Sequence, residues 1–460
     1  MSFIRSEDHS GAALNADSVP GAGKRACYQE RYSASIVILC WLTYFIAYLG
    51  RYNYNACIVE IIAEYGISRA EAGAAGSFFF FAYMIGQAVH AVLSRRANSP
   101  AFIAAALILA AVLNVCMLFA KPGNMKILWC LNGIVQSALW PHIVKILTTL
   151  LPEKRVAGGM VLMHTTGAAG SAGAFLVTAV CLKQFSWRAA FVIPAILMAA
   201  YGIIWGICMG FMSKRINENP PEQDNSMPDV QQSPAKRGRS FRILISGGFL
   251  FAAMGAIGNG FLRDGITIWL PGYIHDTFHV ESAIAVFIST IIPLAQVGGP
   301  FFAKKIYSFN RKPFLSAFIL YGITFLSALV IVAGGRNSGI FLSCVCFALC
   351  ATMMTAVNTA LVSFYPLTFR AQGLTALASG TVNAFVYIGS ITASSSFGLA
   401  ADRLGWNAVL LMICGASVFS GIFCAAGSAK SRGSRTPAGP SPRYRIPGIP
   451  APPPKQDPRD

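Results

Sequence analysis

Long apolar stretches separated by short polar breaks run along most of this 460-residue chain. Each stretch reaches about 20 mainly apolar residues, the length that an α-helix needs to cross the hydrocarbon core of a bilayer. A β-barrel would show short strands of alternating hydrophobicity instead. The pattern therefore predicts an all-α membrane protein with twelve transmembrane helices, near 35–61, 72–93, 101–120, 127–151, 156–182, 187–212, 241–274, 283–302, 314–333, 339–365, 373–401 and 408–426.

A polar linker at 213–240 divides the predicted spans into two groups of six. It contains Lys214, Arg215, Lys236 and several prolines, a composition that stays solvated and does not form a core. The predicted organisation is a cytosolic segment at 1–34, a six-helix bundle at 35–212, the linker, a second six-helix bundle at 241–427 and a disordered, basic, proline-rich tail at 428–460. Two pseudo-symmetric six-helix bundles are typical of secondary transporters.

Composition and charge agree with the membrane assignment. The chain is 55% hydrophobic and only 12% charged, which is too apolar for a soluble protein of this length. Its net charge of +18 lies in the linker, the tail and alternate connections, for example at Arg95, Lys154 and Lys304. By the positive-inside rule we expect both termini to be cytoplasmic. The expected location of the protein is the cell (inner) membrane. The expected partner of the basic tail is membrane lipid, and nucleic acid is not an expected partner.

Two arginines, Arg51 and Arg263, lie inside apolar spans, at matching places in the opening helix of each half. A charge in hydrocarbon costs about 3 kcal/mol or more, so a cavity or a ligand must compensate for it. The planar fork of arginine binds phosphate through several charge-assisted hydrogen bonds. The pair therefore predicts an anion site whose summed charge matches that of a phosphate dianion. The alternative is that each arginine pairs with a buried acid for packing, with Asp264 as the main candidate.

Other side chains of the spans can complete such a site. Tyr44 and Tyr48 share one helical face with Arg51, where their phenols can donate to phosphate oxygens or pack against a sugar. His164 in the fifth span can gain a proton as a doubly charged phosphate arrives. The alternative for all three is ordinary packing. The sequence contains no phosphate-cradling P-loop, no nucleophile arrangement and no metal-binding cysteine pattern, so no catalysis, cofactor or metal is expected.

A set of short motifs occurs in a fixed order from about residue 44 to residue 417. The set comprises Tyr44, Tyr48, Arg51 and Asn53; Asn132-Gly133, Gln136 and Trp140-Pro141; His164 and the glycine-rich 167–173; Trp187-Arg188; Pro220-Pro221-Glu222; Arg263-Asp264-Gly265, Trp269 and Pro271; and Gly405-Trp406. Together these motifs resemble the organophosphate:phosphate antiporters of the major facilitator superfamily, which include glycerol-3-phosphate and hexose-phosphate exchangers and a hexose-phosphate sensor.

The resemblance implies the major facilitator fold, with Arg51 and Arg263 as substrate arginines and His164 as a further ligand. It also places Trp140, Tyr83 and Tyr387 near the cavity. The chain departs from the family where Tyr52 and Gln87 replace lysines, where acidic positions are apolar near Ile268 and Ile288, and where a loop acid is replaced by Arg95. These departures leave the identity of the substrate open.

The expected function follows from the arginine pair and from the resemblance. We expect a monomeric secondary transporter, not an enzyme, that moves an organic phosphate such as glycerol-3-phosphate or a sugar phosphate in exchange for inorganic phosphate. Its two halves would rock about the central site and expose it alternately to each side. Two alternatives stay open: a non-transporting sugar-phosphate sensor of the same fold, and a proton-coupled transporter of another organic anion, such as a carboxylate or a phosphonate.

Overall fold

The computed structural model describes residues 22–94, 96–217, 243, 247–334 and 339–433. Within these residues, eleven helices are long and apolar enough to cross a membrane. The helix Phe249–Phe278 has 30 residues and also has the length of a span, although Asn259, Arg263 and Asp264 make it more polar. With this helix the twelve predicted spans are complete.

The first half contains spans 1 to 6; span 1 has a non-helical residue at Gly50, and spans 4 and 5 each consist of two helical segments. Span 1 is Ala22–Ala56, followed by the short helix Ile58–Tyr65; span 2 is Arg69–Leu93 and span 3 is Ser99–Met117. Span 4 consists of Pro122–Ser137 and Leu139–Leu150, span 5 consists of Glu153–Met163 and Thr166–Gln184, and span 6 is Ala189–Asn217.

The second half contains spans 7 to 12. Span 7 is Phe249–Phe278, and span 8 consists of Ser282–Ser289, Ile291–Gln296 and Gly299–Asn310. Span 9 is Pro313–Gly334, and span 10 is Gly339–Asn358 with a π-helical turn at Thr359–Phe364 and a 3₁₀ helix at Tyr365–Gln372. Span 11 is Thr375–Leu404 and span 12 is Trp406–Gly433.

Several helices extend beyond the boundaries that hydropathy predicts. Span 1 begins at Ala22 and not near Ser35, span 6 enters the predicted linker and ends at Asn217, and span 12 reaches Gly433 inside the predicted tail. A helix can continue past the apolar core because its polar end is solvated by water, so loss of hydropathy does not mark its end. The rest of the linker and of the tail, as well as Arg95, lies outside the described residues.

The packing of the spans repeats between the two halves. Span 1 packs against span 5, span 2 against span 4 and span 3 against span 6; span 7 likewise packs against span 11, span 8 against span 10 and span 9 against span 12. Across the halves, span 2 contacts span 11 and span 5 contacts span 8. Each pair has its counterpart six spans away, so the predicted pseudo-symmetric pair of bundles is confirmed.

Glycines bring spans 7 and 11 into close contact. A Cβ atom built on Gly260 would lie 1.8 Å from the carbonyl oxygen of Val386, and one built on Gly389 would lie 1.9 Å from that of Ile257. Such distances exclude any larger residue, since real Cβ atoms do not approach a backbone oxygen so closely. The close approach places the middle of span 11 beside Arg263.

The two halves are joined at the end that carries the connection between spans 1 and 2, which we call the 1–2 end; the opposite end is the 2–3 end. At the 1–2 end, Arg69 forms ion pairs with Asp276 at 2.5 Å and with Asp402 at 3.1 Å. The Asp276 carboxylate also accepts from the indole of Trp406 at 2.9 Å. This cluster ties the start of span 2 to the ends of spans 7 and 11.

Spans 2 and 11 stay in contact from this cluster towards the middle of the molecule. The Ser394 hydroxyl donates to the Gly73 carbonyl at 2.7 Å, and the Ser77 hydroxyl donates to the Ile391 carbonyl at 2.6 Å. Closer to the middle of the molecule, the rings of Tyr83 and Tyr387 lie 5.6 Å apart. The molecule is therefore closed between its middle and the 1–2 end.

Candidate functional site

A break in span 1 prepares the position of Arg51. Gly50 has φ −89° and ψ 15°, outside the helical range, so its carbonyl is free from the regular helical ladder. Side-chain amides of Asn114, Asn132 and Gln136 donate to that carbonyl at 3.3, 3.1 and 3.1 Å. Three amides from spans 3 and 4 thus stabilise the break and fix the backbone beside Arg51.

The guanidinium of Arg51 is buried and only partly hydrogen-bonded. Arg51 is 8% exposed, and its Nε donates to the side-chain oxygen of Gln136 at 3.0 Å. Its Nη2 is buried without a hydrogen-bond partner. A buried donor without a partner costs about 1–3 kcal/mol, and more when it is charged. This group therefore favours the binding of an anionic acceptor.

Aromatic rings surround the same guanidinium. Its central carbon lies 4.6 Å from the ring centres of Tyr48 and Tyr83, and 5.7 Å from those of Tyr44 and Phe79. The hydroxyls of Tyr44 and Tyr83 are hydrogen-bonded to each other at 3.1 Å. Cation–π attraction offsets part of the cost of burying the charge and leaves the plane of the fork available to a ligand. The structure thus brings three of the predicted tyrosines to Arg51.

Trp140 and His164 continue this group of rings towards the 2–3 end. The Trp140 ring lies 5.4 Å from that of Tyr44, and the His164 ring lies 5.9 Å from that of Trp140. His164 occupies the interruption of span 5, where the side chain is exposed. The structure therefore places Trp140 between His164 and the tyrosines around Arg51.

In the second half, Arg263 is paired with its neighbour. Its Nε and Nη2 donate to the two carboxylate oxygens of Asp264, both at 2.9 Å. The Ser390 hydroxyl of span 11 donates to the same carboxylate. The side chain of Asp264 is 6% exposed, whereas that of Arg263 is 23% exposed. The acid that the sequence offers as a packing partner for Arg263 is thus in contact with it.

Tyrosines connect the two halves of the site. Tyr387 of span 11 packs against Tyr83 of span 2 with 5.6 Å between ring centres. Ser390, which holds Asp264 beside Arg263, lies one helical turn from Tyr387 in span 11. All eight predicted site residues therefore belong to one group around the middle of the molecule, to which spans 2 and 11 contribute together with spans 1, 4, 5 and 7.

The two positions where the resemblance implies lysines, Tyr52 and Gln87, also lie at this site. Tyr52 stacks on Tyr48 with 5.4 Å between ring centres, and it lines a small cavity together with Arg51. Gln87 donates to the Tyr83 hydroxyl at 3.3 Å. Neutral side chains therefore occupy both positions, and the arginines are the cations of this group.

Sequence reasoning missed how Gln136, Asn132 and Ser390 support the two arginines. In the sequence, Gln136 and Asn132 occur in a motif that assigns them no role, and nothing distinguishes Ser390 from the other serines of the spans. The available signal was the presence of amides within apolar spans, because a polar group in hydrocarbon requires a partner.

Within the residues that the structure describes, no group of three or more His, Cys, Asp or Glu side chains could hold a metal ion.

The chain is similar to a known family and to several named proteins. The family model described as Major Facilitator Superfamily matches residues 40–379. The probable hexose phosphate transport protein of Chlamydia pneumoniae is 23% identical over 433 residues, covering 86% of this chain and 92% of that protein. The membrane sensor protein UhpC of Escherichia coli (strain K12) is 26% identical over 186 residues, a match that covers only 40% of this chain and 41% of the sensor.

The fold of the chain is also similar to that of a solved transporter structure. The crystal structure of a bacterial homologue of the human lysosomal transporter Spinster, in an inward-facing and unoccupied conformation, superposes with a TM-score of 0.70. The superposition covers 87% of this chain and 96% of that chain, at 15% sequence identity. This superposition confirms the predicted helical fold, and the relatives named above confirm the predicted resemblance to organophosphate antiporters.

Proposed function

The chain belongs to the Major Facilitator Superfamily, and we propose that it carries an organic phosphate ester across the cell membrane in exchange for inorganic phosphate. The name of the Chlamydia pneumoniae relative, a probable hexose phosphate transport protein, supports this class of substrate. The proposal also rests on Arg51 and the groups around it, which supply a buried positive charge and neutral hydrogen-bond donors.

The observation that carries the proposal is the buried Nη2 of Arg51, which has no hydrogen-bond partner. A phosphate oxygen placed there would accept a charge-assisted hydrogen bond, about twice as strong as a neutral one. The hydroxyls of Tyr48 and Tyr83 lie on rings beside the same guanidinium and can donate to the other oxygens.

We propose that the substrate carries a single anionic group on a neutral body. Neutral Tyr52 and Gln87 occupy the positions where the resemblance implies lysines, and Asp264 already balances Arg263. A second negative charge on the substrate would therefore lack a partner. This argument favours glycerol-3-phosphate or a hexose phosphate over phosphorylated three-carbon acids.

We propose alternating access because the site is closed at one end of the molecule and because helices are interrupted beside it. With both termini in the cytoplasm, the 1–2 end is external, and its Arg69 cluster closes the site on that side. The backbone break at Gly50 directly precedes Arg51, and the two helical segments of span 4 and of span 5 meet at Ala138 and at His164. Bound phosphate would neutralise the buried charge of Arg51 and so allow the halves to close around it. Because each change of access then requires a bound anion, import of one anion is coupled to export of another.

The test is uptake by proteoliposomes that contain purified protein and are loaded with inorganic phosphate. Radiolabelled glycerol-3-phosphate, glucose-6-phosphate and 3-phosphoglycerate are offered outside, with empty liposomes as the control. We expect saturable uptake of one of the first two, dependent on internal phosphate. Uptake of none of the three would contradict the proposal.

The same preparation separates transport from sensing. Saturable binding of a hexose phosphate without exchange would favour the sensor alternative, which the Escherichia coli relative represents. Uptake that follows an imposed proton gradient and ignores internal phosphate would favour proton coupling.

A further inference from the structure

Arg51 and Arg263 occupy matching positions but differ in how their charges are balanced. Among the residues that the structure describes, no carboxylate forms an ion pair with Arg51, whose partners are the Gln136 amide and aromatic rings. Arg263 instead holds both oxygens of Asp264. A bidentate carboxylate presents to the guanidinium the same two-oxygen geometry as a phosphate.

The carboxylate is also fixed in place from the opposite helix. Ser390 donates to the Asp264 oxygen that pairs with Arg263 Nη2, and the close glycine contacts of spans 7 and 11 hold Ser390 at that distance. The side chain of Asp264 is only 6% exposed. A buried carboxylate is retained in such a position only with good partners, because its desolvation is costly.

We propose that Asp264 is an internal counter-anion that competes with the substrate phosphate for Arg263. The inference rests on the proposed function of the site. With Asp264 in place, Arg51 and Arg263 leave one uncompensated positive charge where two would otherwise be buried. Phosphate binding then requires Arg263 to exchange one pair of anionic oxygens for another.

This competition has two consequences for transport. First, phosphate binds more weakly than it would to two unpaired arginines, since part of the interaction replaces an existing ion pair. Second, the empty protein can close around the site more easily, because a fixed carboxylate neutralises Arg263 when no phosphate is bound. Besides exchange, the protein should then show measurable net transport of phosphate when no anion is present on the opposite side of the membrane.

The experiment compares Asp264→Asn with the wild type in two assays on the full-length protein. Inorganic phosphate binding is measured by titration calorimetry, and proteoliposomes report phosphate efflux with and without phosphate outside. We expect Asp264→Asn to bind phosphate about tenfold more tightly. Efflux into phosphate-free buffer should fall about tenfold relative to exchange, because two unpaired arginines now oppose closure of the empty site.

Two further variants test the charge itself. Asp264→Glu keeps the carboxylate, and its ratio of efflux to exchange should lie closer to that of the wild type than the ratio of Asp264→Asn does. Glu281→Gln removes an exposed acid just before span 8, and it should behave like the wild type. A purely structural role for Asp264 would lower both activities together and leave this ratio unchanged.

The outcomes separate this inference from the proposed function. A folded Asp264→Asn protein with wild-type affinity and an unchanged ratio would overturn the role of Asp264 alone. If that variant does not fold, Arg263→Gln is compared with the double variant Arg263→Gln/Asp264→Asn. The single variant should bind phosphate about tenfold more weakly than the double variant, because it leaves an unpaired carboxylate in the site. Equal affinities would overturn the inference. A wild-type protein that neither binds nor exchanges phosphate would refute the proposed function itself.

Discussion

Gln136 accepts a hydrogen bond from Nε of Arg51 at 3.0 Å, and its amide nitrogen donates to the Gly50 carbonyl at 3.1 Å. One side chain therefore fixes both the guanidinium and the backbone break from which it projects. The same amide nitrogen donates to Asn132 at 3.0 Å, which fixes the orientation of the Gln136 amide in turn. We infer that Gln136 positions Arg51 so that Nη2 stays available to an anion.

Replacing Gln136 by Glu tests whether Arg51 must be free of a carboxylate. The change is nearly isosteric, but it places a negative charge 3.0 Å from Arg51 Nε, at the position of the present amide oxygen. We expect phosphate affinity to fall about 100-fold, equivalent to about 3 kcal/mol, because the substrate must compete with a fixed ion pair. Calorimetric titration with inorganic phosphate measures the change. Gln184→Glu, on an exposed residue, is the matched control, and unaltered affinity in Gln136→Glu would contradict the role given to Arg51.

Replacing either arginine by lysine keeps the charge and removes the fork. Arg51→Lys loses the Nε–H that Gln136 accepts, and Arg263→Lys loses the bidentate contact with Asp264. We expect both variants to insert and fold but to lose phosphate exchange to the background level, because a lysine ammonium cannot make planar two-point contacts. Counterflow of labelled phosphate measures the loss. Arg155→Lys, on an exposed residue paired with Glu30, should exchange normally.

Gly73 lies at the contact between the halves. A Cβ atom at this position would lie 2.1 Å from the carbonyl oxygen of Ser394, so Gly73→Ala prevents the closed arrangement of the 1–2 end. We expect transport to fall at least about tenfold while phosphate binding is retained, since one of the two required states becomes strained. Gly415→Ala, which has open space around the added methyl group, is the control. Equal transport rates in the two variants would show that spans 2 and 11 do not need this contact.

Glu64 links the connection between spans 1 and 2 to that between spans 5 and 6. Its carboxylate accepts from Arg188 at 2.5 Å and from the Trp187 indole at 2.6 Å. These hydrogen bonds, first that of Arg188, lower the pKa of Glu64 below its ordinary value. Because the pKa is lower in the folded protein, the stabilisation is present above the unfolded value of about 4.3 and is lost as the pH falls through the folded pKa.

We therefore expect Glu64→Gln to melt at a lower temperature than the wild type at pH 7, with a difference that disappears as the pH falls below about 4. The effect should stay below about 1 kcal/mol, because the Glu64 side chain is 39% exposed and water screens the pair. Thermal melts of the two proteins between pH 3 and pH 7 measure it. A difference that grows towards low pH would have the wrong sign for this ion pair.

The positions of the two arginines could be predicted because each is a charge in an otherwise apolar stretch, and Asp264 could be offered as a partner of Arg263, but the geometry of these contacts could not be predicted. Asp264 follows Arg263 directly in the chain, and neighbouring residues of a helix do not ordinarily face each other. The bidentate contact arises because Arg263 folds back across the helix and Ser390 holds the carboxylate from span 11. Tyr387 is more than 300 residues from Tyr83, and only the packing of span 11 on span 2 brings their rings to 5.6 Å.

The sequence by itself determined the helical membrane fold, its division into two halves and the presence of a cationic site, because hydropathy and buried charge are read from local stretches of chain. The tertiary structure decided how each charge is compensated. Arg51 is held by an amide and by rings, whereas Arg263 is held by a carboxylate. These pairings depend on a break at Gly50 and on glycine contacts between spans 7 and 11, since atoms from distant spans meet only after the helices have packed.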